Sequence, residues 1–165
     1  MQKAVIDEVF GLLLKEKIIN LPQMRYLTDD NGVTAAYLDL LHRSVKKQDG
    51  MTSEEFGYIL CYMAFSGGVY ISSRQWVLGK GVGSFSKSEL DGIFYTLSKE
   101  DAVSLSFDAL RILEGSYRYK AIEQGIKDAY LAAVKSTGFS EGGGFESLPE
   151  LFFNVGVTLT YERFS

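Results

Sequence analysis

Thr52-Ser53-Glu54-Glu55-Phe56-Gly57-Tyr58-Ile59-Leu60-Cys61-Tyr62-Met63-Ala64-Phe65 is the stretch on which the reading of this chain turns. Thr52 and Glu55 stand three residues apart, the spacing at which each side chain accepts a hydrogen bond from the other residue's free backbone N–H. A helix therefore starts here. Phe56, Tyr58, Ile59, Leu60, Cys61, Tyr62, Met63 and Phe65 then make it apolar almost all round. A helix of that kind belongs at the centre of a domain. Cys61, with no identifiable partner base, reads as a small buried apolar group rather than a nucleophile.

Working outward, the flanking segments also read as helices. Val5, Ile6, Val9, Phe10 and Leu13 form a stripe at helical spacing within a helix expected from Gln2 to Ile19, which Pro22 prevents from continuing. Val33, Ala36, Tyr37, Leu40, Leu41, Ser44 and Val45 form another, with Asp29 and Asp30 placed to cap its start and Gly50 to end it. Ser86 and Glu89 make a second capping box, ahead of Leu90, Ile93, Phe94 and Leu97. A helix starting at Ser98 carries Val103, Phe107, Leu110 and Leu113. Between Ser116 and Thr137 the stripe is Ile122, Gly125, Ile126, Ala129, Tyr130, Ala133 and Val134, and its small residues predict a close helix crossing. Ser147 and Glu150 form a third box, with Pro149 tolerated in the first turn.

Two segments are ambiguous. Gly67-Gly68 reads as a helix break, and Val69–Leu78 alternates mixed polar and apolar residues as a short strand would. Leu148, Phe152, Val155 and Leu159 fit a helix, which the capping box favours from about Leu148, whereas Val155, Val157, Leu159 and Tyr161 alternate with Gly156, Thr158, Thr160 and Glu162 as in a strand, the alternative reading. The expected architecture is one domain over 1–165, mainly α, a compact bundle of six or seven helices with at most a small two-stranded β element from 69–78 and 155–161.

Composition narrows the function. The chain has 165 residues, 46% of them apolar and 13% aromatic, enough to bury a core without staples. One cysteine cannot form an internal disulfide. Asp7, Glu8 and Glu16 interrupt the apolar residues of the first twenty, which is unlike a secretory signal, and no apolar run reaches the ~20 residues of a membrane span. The expected setting is the cytoplasm. A net charge of −4 argues against nucleic acid, and the one basic knot, Arg43, Lys46 and Lys47 beside His42, suits the C-terminal end of a helix.

No motif with chemistry survives inspection. Gly79-Lys80-Gly81-Val82-Gly83-Ser84 looks like a phosphate loop, but its Lys does not follow the last Gly, and the third glycine of a dinucleotide fingerprint would fall on Ser84. Asp49-Gly50-Met51-Thr52-Ser53-Glu54-Glu55-Phe56 resembles the exit half of a calcium-binding loop, yet with Glu55 as last ligand the third position falls on Lys46. The single histidine, His42, excludes the usual zinc sites, and a triad through it would have no nucleophile elbow. The carboxylate pairs Asp29-Asp30, Glu54-Glu55 and Glu100-Asp101 all fall at helix starts, where acids are stabilising. No catalytic, cofactor-binding or metal-ligating residue is therefore assigned, and no cofactor is expected.

Ten tyrosines and one tryptophan remain, residue types favoured at interfaces. Tyr117-Arg118-Tyr119-Lys120 is their densest cluster. The expected function is a non-enzymatic, acidic protein-binding module of the inhibitor or immunity-protein type, neutralising a basic protein partner through contacts such as Trp76, Tyr117 and Tyr119. The alternative is a small enzyme or ligand-binding domain that uses carboxylates, tyrosines and the Gly79–Gly83 loop.

Overall fold

The computed structural model describes residues 3–21, 23–28, 32–77, 85–99, 116–137 and 148–164. They form six helices: α1 (Lys3–Lys15), α2 (Val33–Ser44), α3 (Ser53–Val77), α4 (Lys87–Lys99), α5 (Ser116–Thr137) and α6 (Leu148–Phe164). Among the described residues there is no strand. The fold is mainly α, as the stripes and capping boxes predict. No helix starts at Ser98, which with Lys99 continues α4, and Gly32 precedes α2 as its N-cap with no side-chain cap bond. The rest of the helix expected from Ser98, the loop at Gly79–Gly83 and the residues Asp29, Asp30 and Ser147 lie outside the described residues.

The α3–α6 pair, the most extensive among the described helices, is the axis of the bundle. Every residue from Leu151 to Thr160 is buried. Two cores form on the two sides of this pair. One collects Val5, Val9, Phe10 and Leu13 of α1 and Ile122, Ile126, Ala129 and Tyr130 of α5 against Cys61, Phe65, Val69, Phe152 and Val155. The other collects Val33, Tyr37 and Leu41 of α2 and Leu90, Ile93 and Leu97 of α4 against Leu60, Ala64, Ile71, Phe153 and Val157. The result is three layers, α1 with α5, α3 with α6, and α2 with α4. A helix that is apolar on one face cannot fill the middle layer, so the two all-round apolar helices do.

The short strand expected over 69–78 does not form, and the helix favoured from Leu148 does. Residues Val69–Val77 continue α3, and Val155–Tyr161 belong to α6. The alternation arises because hydroxyls in these segments need no sheet edge or water. Ser72 donates to the Gly68 carbonyl at 2.5 Å, Thr158 to Asn154 at 2.8 Å and Thr160 to Gly156 at 2.9 Å, all within their own helix. Such back-bonding lets a buried helix carry small polar residues.

Gly67-Gly68 is likewise no break. A Cβ on Gly67 would overlap the Tyr37 ring, and one on Gly68 would overlap the Phe153 carbonyl oxygen. On the facing helix, a Cβ on Gly156 would meet the Phe65 carbonyl oxygen and lie 2.9 Å from the Val69 nitrogen. Phe65 faces Gly156 and Gly68 faces Phe153, so the two helices run antiparallel. Gly125 of α5 is crowded as well, but by the Ile18 side chain from the segment that follows α1 rather than by a crossing helix.

Other boundaries differ from expectation in instructive ways. The first helix stops at Lys15 rather than Ile19, because Lys17 turns left-handed (φ 58°) and the Ile18 N–H reaches back to the Leu13 carbonyl at 2.9 Å. Ile18 and Ile19 still enter the first core. Gly50 does not end α2, which gives way at Val45. Gly50 (φ 85°) lies in the turn before α3, next to a bond from the Met51 N–H to the Gln48 carbonyl. The capping boxes at α3 and α4 form as read. The Glu55 N–H donates to Thr52 Oγ1 at 3.0 Å, and the Glu89 N–H to Ser86 Oγ at 3.1 Å.

Gly68→Ala and Gly156→Ala should each destabilise the protein by at least about 2 kcal/mol, because the obstructing atoms are backbone and cannot step aside. Gly92→Ala, with nothing within 4 Å of the position its new methyl would take, should instead be neutral or stabilise by up to about 1 kcal/mol through helix propensity. Urea denaturation of the three variants checks the order, and equal midpoints would contradict the close α3–α6 contact.

Candidate functional site

Two surfaces hold chemistry-bearing side chains in organised positions. The first begins at the start of α3. Glu54, Tyr58 and Tyr62 recur at a spacing of four, so they share one helix face. Tyr58 and Tyr62 meet edge-on with ring centroids 5.8 Å apart, and Tyr58 also packs against Tyr130 of α5 at 5.7 Å. Tyr130 donates its hydroxyl to the Glu54 carbonyl at 2.8 Å, which ties α5 to the first turn of α3. Glu54, Glu55 and Glu123 are exposed, and Tyr58 and Tyr62 are half-buried. Lys127 stands one turn along α5 from Glu123 and is exposed as well.

The electrostatics follow from this placement. Burial, with the negative charge of Glu123 and then Cys61 beside it, pushes the Tyr58 phenol up to about 12. Tyr130 is raised by burial first, then by Cys61 and Glu54, and Tyr37 by burial alone. These phenols stay neutral hydrogen-bonding groups and large apolar faces. The Tyr58 ring is thus a partly open aromatic face with carboxylates near it, the combination that attracts a cation. Sequence reasoning placed Tyr58 and Tyr62 in the core and missed this surface. The Glu54-Tyr58-Tyr62 spacing was the available signal, but Glu123 joins it only through the fold.

The second surface is a groove of about 390 Å³ between α2 and α4. Val33, Ala36, Leu40, Phe85 and Leu90 supply apolar lining, and Asp39, Arg43, Lys87 and Asp91 supply charge. Arg43 Nε donates to Asp39 Oδ2 at 2.9 Å across one turn of α2, with both side chains more than half exposed. Such a pair contributes about 0.3–0.5 kcal/mol. Lys87 and Asp91 have no ion pair or hydrogen bond through their side chains among the described residues.

Trp76 falls in the last turn of α3, and Tyr117 and Tyr119 in the first turn of α5, but their side chains lie outside the described residues. His42, Lys46 and Lys47 are exposed at and beyond the end of α2. Cys61 is fully buried, and burial raises its thiol well above the ordinary range. Among the described residues no three His, Cys, Asp or Glu side chains converge as metal ligands. No helix in them is long and apolar enough to cross a membrane.

Comparison with known protein families, with curated proteins and with solved structures gives no match.

Native Cys61 should react with a thiol reagent at least about a hundredfold more slowly than the denatured chain, since reaction requires thiolate and access. Rapid modification of folded protein would contradict its burial. Alkali should also weaken the fold. Phenols held protonated by burial stabilise the folded state fully below the unfolded tyrosine value near 10, and that contribution is lost as pH climbs toward about 12 for Tyr58. Melting temperatures between pH 8 and pH 12 should fall along the upper part of that range, whereas a flat profile would mean the phenols are solvated.

Proposed function

We propose that the protein is a non-enzymatic, acidic binding module of the inhibitor or immunity type, acting in the cytoplasm by covering a basic surface of a protein partner. The observation that carries this reading is the Tyr58 surface. The Glu123 carboxylate acts on the half-buried Tyr58 ring, and exposed Glu54 stands one turn before it on the same face of α3. A lysine or arginine of the partner gains both a carboxylate and a ring face in such a setting. The net charge of −4 supports steering of the same sign over longer range. Trp76, Tyr117 and Tyr119 are the proposed additional anchors, chosen for residue type.

A second reading, a small enzyme or ligand-binding domain, draws on the α2–α4 groove. Its volume of about 390 Å³ falls at the lower end of small-molecule sites, and it holds two carboxylates and two cations. The Gly79–Gly83 loop of that reading precedes the groove residue Phe85 in sequence.

Capture from native lysate followed by binding kinetics separates the two. With an acidic module, the association rate should fall as salt rises from about 0.05 M to about 0.5 M, while dissociation changes little. Glu54→Lys with Glu123→Lys should slow association by about tenfold or more. Alanine at Trp76, Tyr117 or Tyr119 should mainly speed dissociation. Should capture yield no protein while a small molecule raises the melting temperature, the module reading fails and the groove becomes the site.

A further inference from the structure

We propose that the outer face of α4 is the contact between two copies of this chain, packed antiparallel about a two-fold axis so that Lys87 of each copy meets Asp91 of the other. Three observations on this helix converge. Lys87 stands in the first turn of α4, where the helix dipole disfavours a cation, and it finds no side-chain partner among the described residues. Asp91, one turn on, finds none either. A base placed four residues before an acid is the weaker order for pairing within a helix, so the two remain available to another chain. They are of opposite sign, and a two-fold axis passing between them turns each into the other's partner. A single surface patch is then complementary to itself.

Tyr95 supplies the second observation. It lies one turn beyond Asp91 on the same face and is 58% exposed, one of the most exposed large apolar side chains described. Tyrosine is the kind of residue that anchors interfaces. Gly92 is the third. It is exposed at mid-helix, and no atom lies within 4 Å of the position a Cβ would take. Glycine there weakens the helix relative to alanine, and among the described residues no neighbour requires it. With Ser88 one turn earlier, it leaves room for a second helix to approach closely, as Gly68 and Gly156 do within the molecule. Lys87 and Asp91 also line the α2–α4 groove, where Leu40 and Phe85 add an apolar rim and where Asp39 and Arg43 already pair with each other. This surface belongs to the second core's side of the bundle, so the inference is independent of the Tyr58 surface.

Sedimentation of the full chain from about 1 μM to about 1 mM tests it. The expected result is a monomer–dimer equilibrium that weakens with salt. Lys87→Glu and Asp91→Lys each set like charges against each other at two symmetry-related places, and each should weaken dimerisation by about tenfold or more. An equimolar mixture of these two variants should dimerise again, because opposite charges then meet at both places. Gly92→Leu should abolish the dimer while holding or raising the melting temperature. A chain that stays monomeric throughout the range overturns the proposal. So does single-variant dimerisation equal to the wild type, or a mixture that fails to recover it.

Discussion

The approach of α3 to α6 is the contact on which the rest of the bundle depends. Two carbonyl oxygens, those of Phe65 and Phe153, lie where methyl groups on Gly156 and Gly68 would be. Removing those methyls lets the two backbones come together, and the short separation sets the thickness of the middle layer. Each central helix then has two faces to present, and α3 offers Cys61, Phe65 and Val69 to one core and Leu60, Ala64 and Ile71 to the other. Tyr37 uses the same opening, since its ring lies against Gly67 and packs at 5.9 Å, tilted, on Phe153. Its hydroxyl is buried without a hydrogen-bond partner among the described residues, a cost accepted for filling the space beside the crossing.

The same pair explains why the N-terminal connection is ordered without being helical. Glu162 of α6 accepts from the backbone N–H groups of Asn20 at 2.7 Å and Leu21 at 2.6 Å. Thr158 accepts from the Arg25 N–H at 2.9 Å, and the Arg25 guanidinium lies 4.4 Å from the centre of the Tyr161 ring. Thr158 and Glu162, one turn apart near the end of α6, thus satisfy backbone groups that would otherwise face an apolar surface, and Leu27 is buried alongside.

Sequence patterning was informative where it was local. The capping boxes at Thr52 and Ser86, the stripe of α1 and the central position of the Phe56–Phe65 segment follow from spacing alone, because caps and amphipathic faces are properties of a few adjacent residues. Gly67, Gly68 and Gly156 misled for the opposite reason. A glycine that breaks a helix and one that admits a neighbouring ring or backbone are the same residue, and the difference lies far along the chain, at Tyr37 for Gly67, at Phe153 for Gly68 and at Phe65 and Val69 for Gly156. Val155–Tyr161 carried a strand alternative because its threonines alternate, yet helical back-bonding satisfies those hydroxyls within α6. The Tyr58 surface was half legible. Its Glu54-Tyr58-Tyr62 line is local, whereas Glu123 and Tyr130 arrive from α5.

The position of α6 in the chain has a consequence for biosynthesis. It completes both cores, yet it is the last of the described helices to be made. During translation, α1 and α2 present their apolar stripes with no central layer to receive them until Leu148 and its successors leave the ribosome. At ordinary elongation rates, the more than one hundred residues between α1 and α6 take on the order of ten seconds to synthesise. The all-round apolar α3 emerges within that interval with half of its final partners still unmade. Until the closing helix arrives, the face of α3 that α6 covers in the finished fold has no partner.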